Sequence, residues 1–374
     1  MGKKYCGLIL RTSYPALGET SPITVLGKSM EEWVKLALAG ADTDVADNDP
    51  AADILSLVRP HLKPDCDYAV VLYTDTPLIT RKTVEAAVEE ASVSGREVIR
   101  MTRGYVISAS HAMRADKIYT EDTCYFDEED FITAFSQKQI GLITDIMKNR
   151  ILDYHMSHGV RFEDMSGTVI GCDVTIESGA VIGYNNIVMG GTCIRKGARL
   201  KANNYIEDCI IDEDAVLDSS HAVSSYVGKR ATVGPYANLR AGNVVGDDCH
   251  IGDFVELKAC NIGRGCKMGH LTYAGNVNMG EECNVGAGVV FANYDGKEKH
   301  TAVVGNRAFI GSSSTIVAPV VIEDGAFVAA GSVITGDVPA GALAIGRARQ
   351  VVRPEWTGNK YVEKFGYPDK TSDK

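Results

Sequence analysis

Aliphatic residues recur at every sixth position through most of the second half of the chain, and Gly or Asp commonly follows them. Neither the 3.6-residue period of a helix nor the alternation of a simple strand explains this spacing. The pattern predicts a left-handed parallel β-helix of hexapeptide repeats. The unbroken runs are Ile176, Ile182, Val188, Ile194, Leu200 and Ile206; Val227, Val233, Leu239, Val245, Ile251 and Leu257; and Val304, Ile310, Ile316, Ile322, Val328 and Ile334.

Each six-residue unit of such a solenoid forms one short strand and one corner. The aliphatic residue points inward, while Gly, Asn and Asp tolerate the tight corners. Three units make a coil, so residues 168–340 predict about nine coils. A β-sandwich, the ordinary alternative, would need polar alternation and hairpin turns such as Asn-Gly, which are sparse here.

The six-residue register breaks at 211–226, 258–279 and 291–304. Insertions in a solenoid fall on loops at one face and often form its binding site. The last two breaks carry His, Tyr, Asn and Lys side chains. We therefore expect a polar site on the same segment as the scaffold.

The first part of the chain has the pattern of an α/β unit. Strands are predicted over 6–10 and 68–73 and near Val98 and Val106, and helices over 29–39, opened by a Ser-Met-Glu-Glu capping box, and 81–93. This alternation indicates a mostly parallel sheet. We divide the chain into an α/β domain (1–135), a connecting helix (136–160), a β-helix domain (161–350) and a C-terminal tail (351–374).

The α/β unit has no glycine-rich phosphate loop of the GxxxxGK[ST] or GxGxxG type. Asp75 follows a predicted strand, at the end where open α/β sheets place ligands, so it is a weak candidate for a metal or sugar contact. A carboxylate that caps the next turn is the simpler interpretation. His155 and His158 lack a Cys or carboxylate at ligand spacing and are expected to be surface or interface residues.

The net charge of −11 argues against nucleic acid and anionic membranes as partners, although an anionic small molecule can still bind a locally basic pocket. The ten cysteines form no CxxC pair, and several occupy solenoid positions where a small apolar residue would serve, which favours a reducing, cytoplasmic location. No apolar stretch approaches the roughly 20 residues of a transmembrane helix, and the N-terminal one is too short for a signal peptide, so no membrane insertion is expected.

Seven segments of the solenoid carry a more specific signal than the repeat itself. They are GPYANLRAG, DFVELKAC, KMGHLTYAGN, CNVGAGVVFANYDG, FIGSSSTIVAPV, FVAAGSVIT and ALAIGRARQ. In this order and spacing they resemble the acetyltransferase domain of the bifunctional N-acetylglucosamine-1-phosphate uridylyltransferase / glucosamine-1-phosphate N-acetyltransferase family. The match extends back through HMSHGVRFED and covers roughly residues 150–350.

The resemblance implies transfer of acetyl from acetyl-CoA to the amine of glucosamine 1-phosphate by a homotrimer with sites between neighbouring solenoids, and no metal is expected for acetyl transfer. His270 matches the family's general base, a task that suits an imidazole, and Glu256 is a weaker match as the residue that orients it. The positions that match substrate contacts are Arg240, Lys258, Tyr273, Asn284, Asn293, Tyr294 and Lys299. Those that match acetyl-CoA contacts are Ala287, Ser312, Ala330 and Arg347, with a backbone N–H near Ala287 for the developing oxyanion.

The first half of the chain departs from that family. The stretch that would carry a Gly-rich loop with Arg and a Pro-Lys pair is LILRTSYPALGETSPITVLGKSM, with Ser21-Pro22-Ile23 in place of Pro-Lys. Fragments remain: YTDTPL around Asp75 resembles the metal-Asp turn, and GKSM resembles Gly-Lys-Pro-Met. Because nucleotidyl transfer depends on positioning and charge neutralisation, we expect a degenerate nucleotidyltransferase-like domain without uridylyltransferase activity.

Two other functions stay open: an acyltransferase for another amino sugar or nucleotide sugar, and a non-catalytic sugar-nucleotide-binding trimeric scaffold. A zinc-dependent hydratase is more distant, since the spacings of His250, His270 and His300 are not multiples of a coil of about 18 residues. The tail from Trp356 is expected to pack against a neighbouring subunit.

Overall fold

An α/β unit and a β-helix are joined by the helix over Gln137–Ser157 in the computed structural model, which describes residues 4–13, 23–118 and 123–354. The predictions on Ser21, Pro22 and the tail from Trp356 lie outside these ranges. In chain order the elements of the first unit and the joining helix are β1 (Tyr5–Arg11), β2 (Thr24–Val25), β3 (Lys28–Ser29), α1 (Met30–Ala37), β4 (Thr43–Asp47), α2 (Ile54–Val58), β5 (Tyr68–Tyr73), α3 (Arg81–Ser94), β6 (Val98–Met101), β7 (Gly104–Ser108), α4 (Ala109–Arg114) and α5 (Gln137–Ser157), with 3-10 turns at Arg59–His61 and Glu128–Phe131.

The first unit is built on a five-stranded sheet in the order β4-β1-β5-β7-β6. Strands β4, β1 and β5 are parallel, as expected from the strand and helix alternation. Strands β6 and β7 add an antiparallel edge because a tight turn joins them, and such a turn cannot return the chain for parallel pairing. The predicted capping box of α1 is present, with Ser29 and Glu32 bonding each other's backbone N–H.

The hairpin of β2 and β3 ties the first unit to the solenoid. Leu26 and Gly27 turn it with φ of 50° and 96°, a left-handed conformation that Gly adopts without strain. The Leu26 carbonyl accepts a hydrogen bond of 3.2 Å from the N–H of Cys172, and the Lys28 ammonium lies 2.8 Å from the carboxylate of Asp173. The two units are therefore held together by backbone and charge contacts.

The second unit is a parallel β-helix in which each coil adds one short strand to each of three faces. The first face contains Arg161–Phe162, Val181–Ile182, Arg199–Leu200, Val216–Leu217, Thr232–Val233, His250–Asp253, Lys267–His270, Asn284–Val285, Phe309–Ile310, Phe327–Val328 and Leu343–Ala344. The second contains Val169–Ile170, Ile187–Met189, Tyr205–Glu207, His221–Val223, Asn238–Leu239, Glu256–Lys258, Tyr273–Gly275, Val290–Ala292, Thr315–Val317 and Val333–Ile334. The third contains Thr175–Ile176, Cys193–Ile194, Ile210–Ile211, Tyr226–Val227, Val244–Val245, Asn261–Ile262, Val277–Met279, Ala302–Val304 and Val320–Ile322.

The solenoid core confirms the predicted fold class. Every aliphatic residue of the three six-residue runs is buried, and together they form one continuous column. The solenoid has about ten coils. This is one more than the spacing predicted, because the strands over Arg161–Phe162 and Leu343–Ala344 lie outside the regular repeat.

Two of the three register breaks are shortened units rather than insertions. Within these two breaks, inward residues lie five positions apart at Leu217 and Ala222, where the first face turns into the second, and at Leu257 and Ile262, where the second face turns into the third. Residues with positive φ, such as Ala259 at 51° and Asn276 at 54°, make these tighter corners. The break at 291–304 is a true insertion, and it forms a loop over 293–301 where the second face turns into the third.

Five of the seven cysteines in the solenoid are buried, as expected for small apolar residues, and all ten cysteines of the chain are free thiols. Cys249, Cys266 and Cys283 stack in successive coils, and each thiol contacts a carbonyl oxygen of the next coil at 2.9–3.0 Å. Each of these buried thiols therefore has a hydrogen-bond acceptor.

Helix α5 covers the first coil of the solenoid. Leu152 of α5 belongs to the solenoid core, whereas Ile143 and Met147 pack with the first unit. His158 is exposed, as expected for a surface residue, but His155 is only 5% exposed because its side of α5 faces the first coil.

Candidate active site

His270 ends a strand of the first face, and Asp253 ends the strand directly before it in the stack. The two residues are register partners, and the Asp253 carboxylate hydrogen-bonds Nδ1 of His270. This bond holds the pKa of the Asp253 carboxyl below its usual range. A carboxylate can only accept, so Nδ1 carries the proton of the neutral ring and Nε2 keeps a lone pair.

Glu256 does not contact His270 in this way, which corrects the expectation that it orients the imidazole. Its side chain lies on the second face, and Oε1 accepts a hydrogen bond of 3.1 Å from Nη1 of Arg240. Asp253 takes the orienting position instead, because it is the residue that stacks on His270.

Three cations gather on the second face and its inserted loop. The ammonium of Lys299 lowers the pKa of Lys258 by contact and by charge, and the charge of Arg240 adds to the effect. Neighbouring cations repel one another, and a bound anion removes this repulsion. The arrangement of Arg240, Lys258 and Lys299 therefore favours an anionic ligand.

The inserted loop is held in shape by its own polar groups. The Asp295 carboxylate accepts from the backbone N–H groups of Lys297 and Glu298, each at 2.7 Å, and lies 2.7 Å from Nε2 of His300. These bonds hold the pKa of Asp295 far below its usual range. Residues Tyr294 and Lys299 pair across the loop, so its fold decides where the Lys299 ammonium lies.

The remaining substrate positions divide between two faces. Tyr273 is the register partner of Glu256, and a Cβ on Gly275 would lie 2.7 Å from both the Tyr273 hydroxyl and the Asn293 amide nitrogen, so these groups meet above that glycine. Tyr294 is exposed, and its hydroxyl bonds within the loop. Asn284 lies on the first face as the register partner of Lys267, apart from the second-face group.

The matched acetyl-CoA positions form a ladder up the corner between the first and second faces. Backbone hydrogen bonds join the coils here. The N–H of Gly288 donates to the His270 carbonyl at 3.3 Å, and the N–H groups of Ser313 and Gly331 donate to the carbonyls of Ala287 and Ser312, both at 2.8 Å. The coils are too close for a side chain here, since a Cβ on Gly311 would lie 2.4 Å from the Ala330 nitrogen. Arg347 comes last along this corner, and its Cδ would lie 3.8 Å from a Cβ built on Gly331.

The other two histidines of the zinc alternative are held elsewhere. His250 Nδ1 bonds the Thr232 hydroxyl at 2.8 Å, and His300 bonds Asp295. Within residues 4–13, 23–118 and 123–354, no group of three or more His, Cys, Asp or Glu side chains is placed to hold a metal ion. The three histidines therefore do not converge.

Asp75 is engaged inside the first unit. It is fully buried, and both carboxylate oxygens accept from Arg103, at 2.7 Å from Nε and 2.6 Å from Nη2. The guanidinium also stacks 4.3 Å from the centre of the Tyr73 ring. The carboxylate that the sequence suggested as a metal contact is therefore paired with Arg103. Asp75 bonds this guanidinium and does not cap the next turn.

The parallel β-helix of hexapeptide units defines the class of this chain as a hexapeptide-repeat protein. The family model described as "Bacterial transferase hexapeptide (six repeats)" matches residues 301–336. No helix in the described part of the chain is long and apolar enough to cross a membrane.

The chain is similar to "Bifunctional protein GlmU" of Clostridium acetobutylicum, with 44% identity over 232 residues, 62% of this chain and 51% of that protein. The protein of the same name from Clostridium novyi is 42% identical over 229 residues, 61% of this chain and 50% of that protein. The chain thus spans about half the length of these curated relatives. They confirm the resemblance that the seven segments indicated.

Among solved structures, the polySia specific acetyltransferase NeuO covers 48% of this chain and 85% of its own, at 20% identity and a TM-score of 0.25. A likeness this distant says nothing about activity.

Proposed function

We propose that the chain is an acetyl-CoA-dependent N-acetyltransferase that acts on glucosamine 1-phosphate in amino-sugar nucleotide synthesis. The observation that carries the proposal is His270, which ends its strand at the corner that carries the ladder of small residues, beside the face with the cations, and whose Nε2 makes no hydrogen bond to a described residue. A sugar phosphate and an acyl thioester would meet at that nitrogen.

In the proposed reaction, Nε2 of His270 accepts a proton from the substrate amine. The amine nitrogen bonds to the acetyl carbonyl carbon, the carbon–sulfur bond breaks, and the proton passes to the leaving thiolate to give free CoA. Asp253 keeps the ring in the required tautomer and balances the imidazolium that forms. The N–H of Ala287 makes no hydrogen bond within the described residues, which supports it as the oxyanion donor.

The cation cluster supports an acceptor that carries a phosphate. Arg240 presents a planar fork to phosphate oxygens, and Lys258 and Lys299 supply two compact charges. The mutual repulsion of these cations would be relieved on binding, so the site is electrostatically prepared for an anion. Tyr273 and Asn293 offer neutral polar groups to the sugar hydroxyls.

We further propose that the first unit lacks uridylyltransferase activity. A divalent ion needs carboxylate oxygens, and both oxygens of Asp75 already accept hydrogen bonds from Arg103. The domain bounds 1–135, 136–160, 161–350 and 351–374 belong to this proposal.

A homotrimer is proposed as the active assembly, with residues of a second copy completing the site. An exposed apolar ridge runs along the corner beside His270, formed by Tyr236, Phe254 and Leu271, each 57–60% exposed. All three have positive φ, from 52° to 59°, which is costly for bulky residues and projects them outward. Such a ridge next to the reacting groups is suited to a subunit contact.

The test follows loss of thioester absorbance with acetyl-CoA and glucosamine 1-phosphate, which avoids interference from the ten cysteines. A parallel reaction contains UTP, N-acetylglucosamine 1-phosphate and magnesium, with pyrophosphate detection. We expect thioester loss without pyrophosphate. Pyrophosphate release would overturn the silent first unit, and absence of both products would overturn the acetyltransferase.

His270→Ala is the matched control for that assay. It should lower turnover by about 10²- to 10⁴-fold and leave CoA affinity nearly unchanged. Turnover equal to that of the unaltered chain would remove His270 as the base.

A further inference from the structure

A cavity of about 410 Å³ lies where the first unit, α5 and the first coil of the solenoid meet. Its wall is formed by α1, the start of α3, α5 and residues 172–174 of the first coil. The volume lies within the range of about 300–1,000 Å³ that is usual for small-molecule sites. It is remote from the His270 corner, since it lies at the first coil, whereas the strand that ends at His270 is the seventh of eleven on its face.

The apolar part of the wall includes an aromatic face. Trp33 of α1 and Ile151 and Tyr154 of α5 line the cavity. The indole N–H of Trp33 is already bonded to the carbonyl of Val25 at 2.8 Å, so the ring is fixed and presents carbon surface. A planar or branched apolar group would be well accommodated.

His155 supplies an unused polar group to the same space. It is 5% exposed and lines the cavity, and its ring nitrogens make no hydrogen bond to any described residue. Its ring is in edge contact with Tyr154, which fixes its position. Because its nitrogens are accessible from the cavity, this imidazole can bond a molecule there.

Three cations and one carboxylate line the wall, in a chain whose net charge is −11. The cations are Lys28, Arg81 and Arg150, and the carboxylate is Asp173, which pairs with Lys28 at 2.8 Å. The carboxylate partners of the two arginines are Glu85 for Arg81, and Glu129 and Asp130 for Arg150, and these lie outside the wall.

We propose that this cavity binds a small organic acid with an aromatic or branched aliphatic body, whose acidic group lies toward the cationic wall and bonds His155. Burial and the nearby His158 both lower the pKa of His155, so the imidazole is neutral at neutral pH and donates one N–H to the acid. Because the wall comes from both units, the bound acid also bridges the α/β unit and the solenoid.

Trp33 allows a direct test in the full-length chain. The chain has two tryptophans, so the variant Trp356→Phe leaves Trp33 as the source of indole emission. The probe is 1-anilinonaphthalene-8-sulfonate, an aromatic anion that quenches and accepts indole emission. N-phenyl-1-naphthylamine, which has the same rings without the sulfonate, measures what the charge contributes.

We expect saturable quenching of Trp33 by the sulfonate and at least fivefold weaker affinity for the neutral probe. His155→Ala and Arg81→Gln should each weaken sulfonate binding by at least fivefold. Lys138→Met, which changes an exposed cation near the start of α5 that does not line the cavity, is the control and should bind as the unaltered chain does.

Arg81 is exposed, so Arg81→Gln keeps the test informative even if His155→Ala fails to fold. Equal affinity for both probes, or unchanged sulfonate binding in Arg81→Gln and His155→Ala, would overturn the proposal. These outcomes are distinct from those of the acetyl-transfer assay, because no variant touches the His270 site.

Discussion

Asp253→Asn tests how the proposed base is held. The substitution keeps the size of the side chain but offers an amide in place of the carboxylate that bonds Nδ1 of His270. An amide N–H directed at Nδ1 would favour the tautomer with Nε2 protonated, and no charge would balance the imidazolium. We therefore expect kcat to fall while both KM values stay within about twofold.

The size of the effect follows from exposure. A fully buried carboxylate that orients a catalytic histidine contributes about 10⁴-fold. Here the side chains of His270 and Asp253 are 63% and 33% exposed, so water can replace part of the lost interaction. The expected loss in kcat is about 10- to 100-fold, as for partners that orient a metal-bound histidine.

Glu256→Gln is the matched variant, because it changes a neighbouring carboxylate by the same chemistry. Glu256 bonds Arg240, so its loss should alter KM for the sugar phosphate more than kcat. The assay is thioester loss at saturating and limiting concentrations of each substrate. If Glu256→Gln loses 10- to 100-fold in kcat while Asp253→Asn resembles the unaltered chain, Glu256 orients the base and the structural assignment is wrong.

Three further outcomes are expected. Lys299→Met should raise KM for the sugar phosphate about tenfold or more without changing KM for acetyl-CoA, since it removes a charged contact; an equal rise in both values would contradict this. Asp295→Asn should raise KM for the sugar phosphate severalfold, because the bonds of the Asp295 carboxylate order the loop that carries Lys299. The pKa of Asp295 is depressed, so these bonds are present at neutral pH and are lost as the pH falls through that pKa. Arg103→Ala should destabilise the first unit by about 3 kcal/mol in urea unfolding, since it leaves Asp75 buried without its partner, whereas Arg100→Ala, an exposed control, should change stability by less than about 0.5 kcal/mol.

The fold could be predicted because the inward side chain of each solenoid unit is both aliphatic and regularly spaced. The breaks at 211–226 and 258–279 were located in the sequence but interpreted as insertions. A corner that turns on one residue in the left-handed conformation, such as Ala259, shortens the unit by one position, and the residue types do not show this. The strand pairing at the edge of the first unit's sheet was less predictable. An α/β pattern suggests that a helical crossover links β6 and β7, whereas a tight turn reverses the chain there and makes the pair antiparallel.

The same shortened unit explains why Asp253 was missed. With a coil of 18 residues, His270 would stack on Gly252. The five-residue step from Leu257 to Ile262 shortens this coil to a 17-residue spacing and brings Asp253 into register instead. Arg103 was missed for a related reason: its contact with Asp75 joins distant parts of the chain, and no local pattern marks it.

Helix α5 and the first unit cover the first coil of the solenoid, and this structural role does not depend on catalysis. A stack of parallel strands is open at both ends, and an open end presents unpaired backbone groups to any other strand. With Leu152 seated in the solenoid core and the hairpin of β2 and β3 bonded at Cys172, the end nearest α5 is closed to such addition. Closing this end protects the chain against fibre-like growth, and that role depends on the fit to the first coil and needs no reaction in the first unit.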